Sequence, residues 1–314
     1  MPPKILVISG PTASGKTRLA VELALRHGGE VVSADSMQVY RRMDIGTAKP
    51  TPEEMRGIPH HMLDVADPEE DFSVARYVEL AAPCVDDILA RGKLPIVAGG
   101  TGLYLDSLLS GRTFAPFSPD GGLRARLEAR FDALGGEAML GELAAADPEA
   151  AARLHPNDRK RIVRALEVFQ QTGKTISQHN RETRALSPRY DALTLSLAFQ
   201  RREDMWARID RRVDEMMAAG LAEEVRALLD SGVPARCTAM QAIGYKEMAA
   251  AQRGGGDVCA AAEEIKLRSR QYAKRQLTWF RRTEGAKWLF WGPEPDFEAA
   301  CRTSTKYLEE FGLV

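Results

Sequence analysis

The sequence predicts an α/β protein: a parallel sheet covered by helices on both faces, with an all-helical segment set into it. Three observations predict this. Short apolar runs of strand length alternate with helical patterns over about the first 110 residues. A glycine- and lysine-bearing loop, Gly10-Pro11-Thr12-Ala13-Ser14-Gly15-Lys16-Thr17, joins the first strand to the first helix. From 113 to 189 the pattern is helical only, and a buried strand then returns at 192–199.

Each element has its own signal. The unbroken apolar run at 5–8 reads as a strand buried on both faces. The loop after it fits the phosphate-loop template of two glycines, a lysine and a hydroxyl residue at fixed spacing. In such a loop the backbone N–H groups of Gly10, Thr12, Ala13, Ser14, Gly15, Lys16 and Thr17 turn inward around a phosphate. Lys16 adds a point charge there, and the Thr17 hydroxyl is placed to reach Mg²⁺. A helix over 18–26 points its positive end at the same anion. A strand over 30–33, a helix near 74–91, a strand over 94–98 and a helix from Thr101 complete this half. The fold class is therefore α/β with a P-loop NTPase-like parallel sheet core.

The segment 114–122, rich in proline and glycine, reads as a linker. Amphipathic helices follow at 124–134 and 137–146. Asp158 is placed to cap a helix with Ile162, Leu166 and Phe169 on one face. After the strand at 192–199, two long helical stretches cover 203–231 and 257–283. The division is a catalytic core of 1–112 and 190–314 around a helical insertion of 113–189.

Composition narrows the class. Of 314 residues, 44% are hydrophobic and 28% charged, with a formal net charge of -1; these are values of an ordinary globular protein. No apolar run approaches membrane length and the first strand begins at once, so neither a membrane span nor a signal peptide is expected. Cys84, Cys237, Cys259 and Cys301 form no metal-type or redox-type pair. A cytoplasmic monomer is the simple expectation. The near-zero charge hides basic patches at 159–164, 201–212 and 268–282, which suit a polyanionic partner met by one surface.

The chemistry-bearing residues follow the strand ends, where ligands of such sheets bind. Nucleotide hydrolases of this type place an acid after a second apolar strand to hold Mg²⁺. Here that strand ends in Gly99-Gly100-Thr101, which argues against a plain ATPase or GTPase and leaves a small-molecule kinase open. Asp35, in Asp35-Ser36-Met37-Gln38, is either a turn-capping acid or a base that takes a proton from a substrate nucleophile. Thr101 is either a helix cap or a donor to a phosphate oxygen. Arg208 and Arg212 lie one helical turn apart and together could clamp a diphosphate. Trp279 and Phe280, among basic residues, suit base stacking or core packing. His60, His61 and His155 follow no metal spacing.

Taken in order, GPTASGKT from Gly10, DSMQVYRRMDIGTAKP from Asp35, GGTGLY from Gly99, HPNDRKRIVRALEVF from His155, AMQAIGYKE from Ala239 and KRQLTWFRR from Lys274 resemble the tRNA dimethylallyltransferase family, bacterial type. The resemblance implies transfer of a dimethylallyl group from dimethylallyl diphosphate to the exocyclic N6 of adenosine 37, just 3′ of the anticodon, in tRNAs reading codons that begin with U. It implies Asp35 as general base, with the P-loop, Mg²⁺, Thr101 and Arg212 stabilising the leaving diphosphate. It implies an anticodon stem-loop gripped by the insertion and touched by Asp35, Ser36, Met37 and Gln38, by Arg159, Lys160, Arg161, Ile162, Val163 and Arg164, by Gln241, Gly244, Tyr245 and Lys246, and by Lys274, Arg275, Gln276, Trp279 and Arg281. Eukaryotic relatives add a zinc module, for which the tail after Trp291 offers one cysteine and no histidine. The tail 293–314 matches no motif.

Overall fold

The computed structural model describes residues 2–111, 114, 122–184 and 187–314. It divides into two compact units, one of Met1–Leu109 with Arg189–Val314 and one of Ser110–Pro188. Most of the 114–122 linker lies outside the described residues.

The first unit is built on strands β1 (Lys4–Ser9), β2 (Gly29–Ser33), β3 (His60–His61), β4 (Leu94–Gly99), β5 (Asp191–Phe199) and β6 (Lys287–Trp291). They form one parallel sheet in the order β3-β2-β4-β1-β5-β6. The apolar run at 5–8 reflects burial on two sides. Ile5 and Val7 face one core cluster with Val32 and Val97, while Leu6 and Ile8 face another with Val31 and Ile96. The period of two along each strand sorts these side chains onto opposite faces.

Two strands were not expected from the sequence. His60–His61 is too short to show a pattern, and Lys287–Trp291 lies beyond the motifs. The helical expectations hold with one refinement. In chain order the helices are α1 (Lys16–His27), α2 (Pro52–Met55), α3 (Val74–Ala90), α4 (Gly102–Leu109), α5 (Gly122–Ala146), α6 (Pro148–Ala151), α7 (Arg159–Thr172), α8 (Ile176–Arg184), α9 (Arg202–Ala218), α10 (Leu221–Asp230), α11 (Tyr245–Gly254), α12 (Val258–Phe280) and α13 (Phe297–Phe311). The stretch expected as one helix over 203–231 breaks into α9 and α10 at Gly220, whose φ of 100° no helix tolerates. Within α5 the non-helical Gly135 separates the two helices that the sequence implies.

The second unit packs Leu127, Met139, Leu143, Ile162, Val163 and Leu166 into its own core. Its buried Glu167 is held by Arg124 at 2.8 Å and Arg164 at 2.7 Å. Asp158 stands at the cap position of α7, but its carboxylate accepts from the His155 amide instead of the helix amides. No helix of the described residues is long and apolar enough to cross a membrane.

Candidate active site

The P-loop leaves β1 at Gly10 and enters α1 at Lys16, with Ala13 and Gly15 at positive φ of 61° and 80°. A side chain at Gly10 would lie 2.9 Å from the Leu197 carbonyl, and one at Gly15 would lie 2.6 Å from the Phe297 ring. Both positions therefore need glycine. Bracing from distant segments fixes the loop. The Gln276 Oε1 accepts from the Thr12 amide at 2.9 Å, and its Nε2 donates to the Gly100 carbonyl at 2.9 Å. Trp291 Nε1 donates to the Ser14 carbonyl at 2.8 Å, and Arg208 Nε donates to the Ala13 carbonyl at 3.2 Å. Within the loop, Ser14 Oγ and Lys16 Nζ both donate to the Pro11 carbonyl, at 2.8 and 2.7 Å. Burial, and after it repulsion by Arg212, pulls the Lys16 amine down to about 7, against the opposing pull of Asp35.

Asp35 sits just past β2. Its Oδ1 accepts from the amides of Met37 at 2.8 Å and Gln38 at 3.3 Å, an Asx-turn that fixes the carboxylate. Its Oδ2 takes no hydrogen bond from the described residues. Thr101, at the end of β4, accepts from the Ser36 amide at 3.0 Å and donates its own amide to the Ala34 carbonyl at 3.1 Å. The two strand ends are thus joined beside the P-loop. The Gln38 side chain is engaged inside the protein, donating to the carbonyls of Thr47 and Ala48 and accepting from Ser33 Oγ.

These elements enclose a cavity of about 330 Å³, lined by Thr12, Ala13, Asp35, Ser36 and Met37, and across from them by Arg212, Gln241, Gly244 and Arg275. The sequence reading named all nine of these. It missed Tyr272 and the apolar lining from Ile209, Val213, Met216, Ile243 and Ile265. The spacing of Ile209, Arg212, Val213 and Met216, one helical face with an arginine inside an apolar stripe, was the available signal. Burial, then the negative charge of Asp35, pushes the Tyr272 phenol up to about 12. Burial likewise lowers the Arg212 guanidinium, with Asp35 opposing. Arg212 lines the cavity, whereas Arg208 is not among its lining residues and donates through Nε to the P-loop.

One face of the late helix α12 carries a separate groove of about 410 Å³, lined by Gln271, Lys274, Arg275, Thr278, Trp279 and Arg282. The Trp279 indole is 37% exposed and donates to Asp106 at 3.0 Å, so it offers a ring face to solvent while Phe280 is buried. Arg281 and Lys246 are exposed. Besides Gln38, four residues expected to touch RNA turn inward. Gln276 is the P-loop brace, and Tyr245 is fully buried with its hydroxyl on Glu224. Ile162 and Val163 are core residues of the second unit. In that unit Lys160 and Arg161 are exposed, and Arg159 pairs with Asp132.

Comparisons with known proteins show the family. The family model described as IPP transferase matches residues 38–283, and one described as isopentenyl transferase matches residues 3–70. The chain belongs to the IPP transferase family. It is 45% identical to a tRNA dimethylallyltransferase of Acetivibrio thermocellus over 98% of each chain. It is 50% identical to tRNA dimethylallyltransferase 1 of Trichlorobacter lovleyi over 92% of this chain and 94% of that one. Among solved structures, a tRNA isopentenylpyrophosphate transferase of Bacillus halodurans superposes with a TM-score of 0.73 at 41% identity, over 98% of this chain and 96% of that one. A eukaryotic dimethylallyltransferase acting on tRNA matches with a TM-score of 0.82 at 30% identity, over 98% of this chain and 78% of that one. Family membership as an IPP transferase sets aside the small-molecule kinase reading.

Proposed function

We propose that this protein transfers a dimethylallyl group from dimethylallyl diphosphate to tRNA, at the exocyclic N6 of adenosine 37 in tRNAs that read codons beginning with U. One observation carries the reading. An oriented carboxylate, Asp35, and a half-buried guanidinium, Arg212, line one cavity together with P-loop residues Thr12 and Ala13.

The P-loop amides, Lys16 and Arg212 hold the diphosphate. The bond between the allylic carbon and the diphosphate oxygen breaks, its electron pair leaving with the diphosphate, and the adenine nitrogen forms the new bond to carbon. That nitrogen is a poor nucleophile because its lone pair is delocalised into the ring. Oδ2 of Asp35 accepts the proton it loses. Arg212 and Lys16 neutralise the leaving charge. Thr101 holds the β2 and β4 ends in register, so that Asp35 faces the reacting atoms.

Among the described residues no group of three or more His, Cys, Asp or Glu gathers as a metal site. Thr17 offers a single hydroxyl at the first turn of α1. That donor set suits Mg²⁺ carried in by the diphosphate and completed by water. Bound there, the ion would neutralise the diphosphate further.

The target base leaves the anticodon-loop stack to enter the cavity, at about a few kcal/mol. The basic groove on α12, with Trp279, and the exposed Lys160 and Arg161 of the insertion would bind the stem-loop. A cytoplasmic monomer fits this role. The decisive experiment incubates the protein with labelled dimethylallyl diphosphate, Mg²⁺ and an anticodon stem-loop whose adenosine 37 is flanked by adenosines. Label should appear on that N6. Asp35→Asn, which keeps an oxygen for the turn, should lower the single-turnover rate by about 100-fold or more while donor binding is retained. Unlabelled RNA, or a fully active Asp35→Asn, would refute the reading.

A further inference from the structure

The cavity changes character along its length. On α9, Ile209, Arg212, Val213 and Met216 lie at i, i+3, i+4 and i+7 and all line it. α12 runs antiparallel beside α9, with Arg270 3.0 Å from Asp210 and Lys266 2.7 Å from Asp214. The P-loop marks one end, where Arg208 bonds the Ala13 carbonyl and Gln276 the Thr12 amide. Met216 lies about 12 Å along the helix axis from Arg208, and Ile265 about 16 Å from Gln276, at 1.5 Å per residue.

Arg212, Tyr272 and Arg275 line the part nearer the P-loop, beside Ile209, and the far end is lined by Val213, Met216 and Ile265, joined by Ile243. Little space lies behind Gly46, which lines the same cavity. A Cβ on the lining residue Gly46 would stand 2.5 Å from the Tyr245 ring and 2.9 Å from Leu221. Both of those side chains are fully buried in the same apolar cluster as Ile265.

With the diphosphate held at the P-loop and the target base entering beside Asp35, this apolar end is the part of the lining that suits the donor's hydrocarbon. We infer that Met216, Ile265 and Ile243 form an end wall that limits the prenyl chain to about five carbons. The assignment rests on the prenyl-transfer reading. Geranyl diphosphate carries five more carbons, which would have to pass through the Met216 and Ile265 side chains. Even one methylene of misfit in an apolar pocket changes specificity by about tenfold or more.

The test compares kcat/KM for dimethylallyl diphosphate and geranyl diphosphate on the same stem-loop, in parent, Met216→Ala, Met216→Phe and Ile265→Val proteins. Circular dichroism and thermal melts monitor folding, and Ile265→Val keeps the test valid where the larger truncation unfolds. The parent should prefer the shorter donor by about 100-fold or more. Met216→Ala should cut that preference at least tenfold, Ile265→Val should cut it less, and KM for RNA should stay within about twofold. Met216→Phe should raise the KM of dimethylallyl diphosphate. Folded Met216→Ala and Ile265→Val proteins with the parent's selectivity would overturn the assignment, as would a parent that uses both donors equally. A parent that transfers neither donor instead removes the prenyl-transfer reading, and the wall with it.

Discussion

Lys16 carries a charge whose presence depends on pH near neutrality. Burial and Arg212 hold its amine near 7 rather than at the usual lysine value. The folded chain therefore binds fewer protons here than the unfolded chain between about pH 7 and the ordinary lysine range. Through this group, stability rises with pH across that window. Donor binding runs the opposite way. A diphosphate favours the protonated amine, so binding above pH 7 requires proton uptake, and the donor KM should rise by up to about tenfold per pH unit. Measuring kcat/KM for the donor from pH 6 to 9 checks this, with Lys16→Met as the control that should lose the slope. A Lys16→Met protein with the parent's profile would move the titration to another group. At this scale the positions of Asp35, Thr101, Lys16 and Arg212, at strand ends and on helices, were legible, because spacing after a strand or along a helix places them. Tyr245, Gln276, Ile162 and Val163 were misread because a motif string mixes inward and outward residues. The helical period separates them: Ile162 and Leu166 share the buried face, whereas Lys160 and Arg161 lie off it.

Elements far apart in sequence make the P-loop what it is. Its shape follows from its own glycines, but its position depends on α12 through Gln276, on β6 through Trp291 and on α13 through Phe297. The first four strands in the motif region and β5 could be anticipated from apolar runs, apart from the two-residue β3. β6 could not, because its five residues lie between the last motif and the tail and put apolar side chains on both faces, the exposed Phe290 (57%) included, so no alternation of polarity marks them. The Trp-Leu-Phe-Trp run before Gly292 and Pro293 was the faint signal. The bracing can be tested at Gln276, which approaches so closely that a Cβ on Gly100 would lie 2.4 Å from its Nε2. Gln276→Leu leaves the Thr12 amide and the Gly100 carbonyl without their partner, and each unpaired buried group costs about 1–3 kcal/mol. The melting temperature should fall by several degrees and the donor KM should rise, while the salt dependence of RNA binding stays as in the parent. A melt and a donor KM both unchanged would show that the P-loop holds its position without α12.

The whole molecule is a sheet unit interrupted by a helical one, and the point of interruption is closed. The Arg189 amide donates to the Leu109 carbonyl at 2.8 Å, so the chain leaves and re-enters the first unit at adjacent residues. Adjacent ends allow a segment to be inserted or removed without pulling the host apart. Both faces of the sheet are covered by clusters belonging to the first unit, and among the described residues the cavity is lined by that unit alone. Replacing residues 110–188 by a short Gly-Ser linker should therefore leave a protein that melts in one cooperative step and binds dimethylallyl diphosphate within about threefold of the parent. Stem-loop binding should weaken, and its dependence on salt should flatten by about 0.7–0.9 in slope for each phosphate that Lys160 and Arg161 no longer neutralise. Calorimetry on the excised protein and binding titrations between about 50 and 200 mM salt measure the two halves separately, the salt range spanning the regime in which counterion release dominates. An excised protein that binds RNA as the parent does would assign the whole grip to the α12 groove. One that fails to fold would show that the sheet unit depends on the segment set into it.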